Sequence, residues 1–303
     1  VALWIAIVTQ ENMHWLQEGQ GRLPVCLWSF TTDAPLADLK LARETGEVVA
    51  SDHSGGIYLI DIEGRVRALT RLGQVAREVA FADNGATIAA VSGPSSLSLM
   101  NRKLAFQWTR QLPDSILATA LAPYGEHVAV SLTDGMNAIY TLGNKKQATF
   151  QTPRPLKHLA FLGTEAALIG AAEYGLISKI RLDGQILWSE SLWSTVGGLA
   201  VTGNGESILL AGYMHGLQMF GNDGSAAGTL MLDGTASHVG QSFHQHRIYS
   251  ATLEQHLACL SKAGDLVYLL GLPEPLHRLQ VTAMGDAVIV GFPSGRIMKL
   301  AML

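Results

Sequence analysis

The sequence predicts an all-β fold, a β-propeller of four-stranded antiparallel blades, and three observations point to it. Short apolar runs recur at a fixed period of about 40 residues, the length of a propeller blade. The runs carry many β-branched and aromatic residues and show no helical periodicity. Glycine, 32 residues in all, separates them, as a fold with many tight turns requires.

The period is clearest in hairpins. The segments GEVVASDHSGGIYLIDIEG from Gly46, EAALIGAAEYGLISKIRLDG from Glu165 and ESILLAGYMHGLQMFGNDG from Glu206 share one pattern: apolar run, turn, apolar run, Gly turn. The last residue of the hairpin turn falls at Gly55, Ser95, Gly135, Gly175, Gly216, His256 and Gly295, an almost even spacing. Before each hairpin comes another short strand closed by a small-residue turn, at Gly85, Gly125 and Gly205 for example. After it comes a fourth strand, as in LAFQWTRQL from Leu104 and QILWSESL from Gln185. Four strands per unit is the blade pattern.

The ends decide the blade count. Residues 1–30 read as strands two to four of a blade (VALWIAIV, MHWLQEG, RLPVCLWSF), and residues 276–303 read as strands one to three, with six full units between them. Strand exchange between the ends would close such a ring if a short upstream segment supplied the missing strands. Eight blades are therefore expected, with residues 1–303 forming a single propeller domain that lacks a short N-terminal segment of its parent chain. The alternative is seven, with residues 22–30 completing the last blade and residues 1–20 packed outside.

Composition limits function. Hydrophobic residues make up 48% and charged residues 15%, and the net charge of -4 offers no electrostatic footprint for nucleic acid. Cys26 and Cys259 lie far apart and form no CxxC pair, so they read as small hydrophobes and not as a disulfide framework. The apolar stretch Val1–Val8 is too short to cross a bilayer and has no basic flank or cleavage site, so no membrane segment is expected. The chain begins with Val, which leaves the compartment open.

No phosphate-binding GxxxxGK[ST] loop, HExxH zinc helix, GxSxG nucleophile elbow, calcium loop or sialidase-type Asp-box is present. No cofactor and no metal are expected on that basis. A propeller can still assemble a site from single residues on many blades, and an enzyme or small-ligand binder using the central channel is the alternative reading. Arg77, Glu78, Lys157 and His158, on predicted first strands, are its candidates.

Segments such as ALIGAAEYGLISKIRLDGQILWS resemble the repeats of pyrroloquinoline-quinone-type propellers, with Trp108 and Trp188 where a tryptophan would close a blade. ALAPYGEHVAVSLTDG is similar to WD-repeat blades, although the Trp-Asp dipeptide is absent. The resemblance implies the propeller fold. The adjacent cysteines that quinoprotein dehydrogenases place beside their cofactor are missing, so it implies no quinone site.

The leading functional expectation is a non-catalytic scaffold that docks a protein or peptide partner on one loop face. His53, His215 and His256 fall in the turns between second and third strands, which ring symmetry places on one face. The same face should carry the links between blades, with Arg154 in TPRPLK and Trp193 in SLWST, residue types that dominate binding hot spots. Each also has a plainer reading as a solvated turn residue or as a tryptophan packed between sheets. His244 and His246 share one side of a chain segment at metal-ligand spacing, but no third ligand is evident. Glu63, Asp183 and Asp223 precede turn glycines and are explained by turn geometry.

Overall fold

A computed structural model describes residues 13–302 of the chain. The first strand of each blade begins at a constant interval through most of the ring: Leu36–Leu41, Ala76–Phe81, Ile116–Leu121, Leu156–Phe161, then the end of Ile186–Val201, Ala236–Gln241 and Arg278–Val281. Three further antiparallel strands follow outward in each blade. Each first strand lies against the first strand of the next blade, and that of blade 7 lies against that of blade 1. The described strands therefore close a ring of seven four-stranded units, with the first strands innermost.

The count of eight expected from sequence is corrected by two features. Val25–Thr31 pairs with Arg296–Ala301 and supplies the outer strand of blade 7, so the first and last parts of the chain share one sheet. The segment MHWLQEG, read as a strand, instead contains a 3-10 helix at His14–Gln17, which packs on the outer strand of blade 6, Leu266–Gly271. Gln20–Gly21 adds a short fifth strand to that outer edge. VALWIAIV lies outside the described residues.

Blades 4 and 5 are joined without a break. Other links carry Pro, Gly or Asp, but SLWST offers no such residue, and the chain stays extended through Ile186–Val201. This strand ends blade 4 and begins blade 5, so the two share a seven-stranded sheet.

Apolar clusters fill the seams between neighbouring blades. At the seam of blades 7 and 1, Ile289 and Ile297 pack with Trp28, Leu39, Tyr58 and Ile60. Outer strands add a second kind of contact. Trp28, Trp108 and Trp188, each two blades on from the last, donate the indole N–H to a carbonyl in the following blade, those of Ile62 (3.0 Å), Leu142 (2.8 Å) and Asn222 (2.9 Å). Sequence reading marked the second and third of these. Trp28 escaped because its blade is completed from the other end of the chain.

Trp28 and Trp188 lie over turn glycines, Gly64 and Gly224. Gly224 has φ +84, and a Cβ there would lie 2.8 Å from the Trp188 ring. Gly224→Ala therefore combines left-handed backbone strain with a steric clash and is expected to cost about 1–3 kcal/mol of unfolding free energy in denaturant titrations. Gly73, with open space around it, is the control: Gly73→Ala should stay within ~0.5 kcal/mol of the parent. Equal losses at the two positions would contradict the indole staple.

Candidate functional site

The channel through the ring is lined by the innermost strands. Each is an edge strand, and its unpaired N–H and C=O groups need partners. In blades 1 to 6 the pairing of the first strand with the second shifts register at one place, between Leu36 and Asp38, Ala76 and Glu78, and their equivalents. Such a bulge re-aims the side chains beside it. Stacked by blade, the position that follows the bulge, and its equivalent in blade 7, reads Asp38, Glu78, Ala118, His158, Gly198, His238 and Arg278.

Several of these side chains reach the inner strand of the next blade. The Val79 N–H donates to Asp38 Oδ2 at 2.8 Å, and the Thr119 N–H donates to Glu78 Oε2 at 3.0 Å. His158 Nε2 donates to the Val196 carbonyl at 3.4 Å and His238 Nε2 to the His277 carbonyl at 3.2 Å. His277 Nε2 donates to the Ala37 carbonyl at 2.9 Å, and Arg278 pairs with Asp38 at 2.5 Å across the closing seam. A carbonyl only accepts, so each of these imidazoles carries its proton on Nε2. One level deeper, the ring position reads Lys40, Ala80, Ala120, Ala160, Ala200, Gly240 and Gln280.

Burial sets the charge state of the ring. Desolvation, with repulsion from Asp38, pushes the Glu78 carboxyl up to about 7. Burial works in the same direction on Asp38, but Arg278 and Lys40 together with the Val79 N–H outweigh it and hold that carboxyl below its usual range. Desolvation holds His158 and His238 down to about 4, so both are neutral at physiological pH. Among the described residues, no group of three or more His, Cys, Asp or Glu side chains could hold a metal ion.

The channel mouth at the ring of Asp38 and its equivalents opens on the face that carries the turns between second and third strands and the links between blades. Leu36, at the start of its strand, pairs with Asp52 at the edge of such a turn. On this face, blades 4 to 6 present an apolar arc. Trp193 is 91% exposed, Met214 73%, Tyr174 70% and Leu253 54%. Tyr174 pairs with Thr195, and the Met214 N–H donates to Ser194 Oγ at 3.3 Å, so both flank the Trp193 segment. Tyr213 leads from the arc to the mouth: a Cβ on Gly197 would lie 2.7 Å from its ring.

The residues singled out from sequence divide between the two faces. His53, His215, Arg154 and Trp193 lie in turns or links of the same face, all exposed, and half-buried His256 begins the third strand of blade 6 at that face. His215 and Trp193 border the arc, Arg154 belongs to the preceding link, and His53 lies across the ring on blade 1 near His277. His244 and His246 occupy a turn on the opposite face, with ring centroids 6.1 Å apart. Of the channel candidates, Glu78 and His158 join the ring. Arg77 is held by the carbonyls of Gly93 (2.9 Å) and Pro94 (2.8 Å), and Lys157 pairs with Glu173 at 2.8 Å on the rim.

Sequence reading passed over Asp38, Lys40, His238 and Arg278. The signal was present, because stacking the chain at the blade period brings them into register. Cys259 is buried and Cys26 half-buried, both free thiols. No described helix is long and apolar enough to cross a membrane. No protein-family model matches the chain, and no curated protein matches it in sequence.

The shifts predict a pH signature. Glu78 holds its proton more tightly folded than unfolded, so the fold loses stability as pH rises from 4.5 through about 7. His158 and His238 act oppositely, and their contribution is lost as pH falls from 6.5 toward about 4. Glu78→Gln can still accept the Thr119 N–H through its amide oxygen. It should gain about 1–2 kcal/mol relative to the parent between pH 5 and pH 8, less than the full shift because the channel is open to solvent. Parallel stability profiles for the two proteins would refute the assignment.

Proposed function

We propose that this chain is a non-catalytic binding scaffold, which docks a polypeptide segment of a partner protein on the face bearing the apolar arc. The observation that carries this reading is Trp193, 91% exposed beside Met214 and Tyr174. An exposed indole flanked by a thioether and a phenol is unusual on a surface that only meets water, and tryptophan is among the side chains most enriched in hot spots. The Trp193 backbone belongs to a continuous strand shared by two blades. Such an anchor is preorganised, so little ordering cost accompanies contact.

The partner in this reading presents one large apolar side chain to Trp193, with Arg154 and His215 supplying polar contacts around it. His53 and His256 stand further round the ring and contribute only to a partner wide enough to span the channel mouth. The tryptophan staples between blades support kinship with quinoprotein-type propellers more than with WD repeats. That kinship concerns blade construction and brings no cofactor with it.

The test is a selection of peptides from a random display library on the full chain, followed by affinity measurements on variants. Peptides should emerge that lose at least ~10-fold in affinity with Trp193→Ala and with Met214→Ser, a loss of about 1.4 kcal/mol or more. Both variants should keep the parent's unfolding midpoint, because the side chains are exposed. A library that yields only binders indifferent to Trp193, or a dimer of the chain that Trp193→Ala dissolves, would overturn the reading.

A further inference from the structure

Lys40 is out of keeping with its ring. Blades 2 to 6 place alanine or glycine at its level, and in blade 7 the Gln280 amide turns back to donate to the Leu279 carbonyl at 2.8 Å. A four-carbon stem with an ammonium therefore enters a passage whose walls at that level end mostly at Cβ. Lys40 borders both halves of the channel, cavities of about 370 Å³ toward the Trp193 face and about 220 Å³ toward the other. Its ammonium makes no hydrogen bond or ion pair among the described residues.

The neighbouring carboxylates are engaged elsewhere. Asp38 is taken by Arg278 and by the Val79 N–H. Glu78 accepts the Thr119 N–H through one oxygen, and no partner within the described residues holds the other. The half-buried cation acts on Asp38 only through space and thus faces an open cavity without a direct ion pair, a state that invites an external anion.

We propose that the waist of the channel is a binding site for a compact oxyanion, a carboxylate or a sulfate-like group, held by the Lys40 ammonium beside the Glu78 carboxyl. The site is separate from the apolar arc and does not depend on the docking reading. The groups around Glu78 are Asp38 and Lys40 from blade 1, Arg77 on its own strand and Arg278 from blade 7. His158 and His238 complete the channel wall, with Lys157 on its rim. Both histidines are neutral between pH 6 and pH 8, so Glu78 governs the pH dependence there. Protonated, it donates to the anion; ionised, it repels it. Affinity therefore rises as pH falls from 8 to 6.

Calorimetric titration of the full chain with sodium acetate and with sodium sulfate, at pH 6 and pH 8 and constant ionic strength, tests this. Neither probe changes charge in that range. Saturable one-to-one binding is expected for at least one of them, about tenfold tighter at pH 6. Acetate alone assigns a carboxylate site, and sulfate alone a tetrahedral one. Lys40→Met should lose at least ~10-fold in affinity, Lys40→Arg should retain binding, and Glu78→Gln should bind equally at both pH values. Lys157→Gln, on the rim, should bind as the parent does. No saturable heat with either anion, equal affinity in a folded Lys40→Met variant, or parent binding indifferent to pH would overturn the proposal. If Lys40→Met fails to fold, the pH dependence of the parent against Glu78→Gln decides alone.

Discussion

The pairing of Val25–Thr31 with Arg296–Ala301 is the contact on which the rest of the ring depends. Each blade buries its apolar faces only against two neighbours, so an open ring would leave the flanks of its first and last blades in water. Completing blade 7 with a strand from near the start of the chain ties the two ends by a backbone ladder. It also brings Trp28 to the Ile62 carbonyl and the apolar residues of blade 1 against Ile289 and Ile297. The same seam carries Arg278 onto Asp38 and His277 onto the Ala37 carbonyl. Apolar packing, ladder and polar staples thus coincide where the ring is joined.

A closed ring fixes its outer edges and leaves the inner ones exposed to one another. Inner strands bear backbone groups with no strand to meet them, and the chain answers with long polar side chains at the bulge, each reaching one blade onward. This accounts for Asp38, Glu78, His158 and His238 without invoking catalysis. It does not account for Lys40, which among the described residues makes no hydrogen bond or direct ion pair and acts on Asp38 only through space. Nor does ring construction require Trp193, since the other links between blades are built without an exposed indole. Ring construction thus explains neither side chain, and both can be reached from the face that carries Trp193.

Much of this was legible in the sequence, for a physical reason. A fixed period forces equivalent residues onto equivalent places, so hairpin turns, first strands and the face shared by His53, His215, Arg154 and Trp193 could be assigned from spacing. The blade count was not legible. MHWLQEG mixes apolar and polar residues much as a strand does, and only tertiary packing on blade 6 makes part of it a 3-10 helix. The unbroken strand Ile186–Val201 was visible only as an absence of turn residues. The polar ring was hidden because its members differ in type, from carboxylate to imidazole to guanidinium. What unites them is the task of satisfying a neighbour's backbone.

Hydrogen–deuterium exchange of the full chain, resolved by peptide, tests ring closure most directly. Seven-bladed closure predicts that the amides of residues 25–31 that pair with Arg296–Ala301 exchange as slowly as those of that strand and that both are released together in mild denaturant. Fast exchange across residues 25–31, with Arg296–Ala301 still protected, would contradict the closed ring and with it the polar staples at its seam.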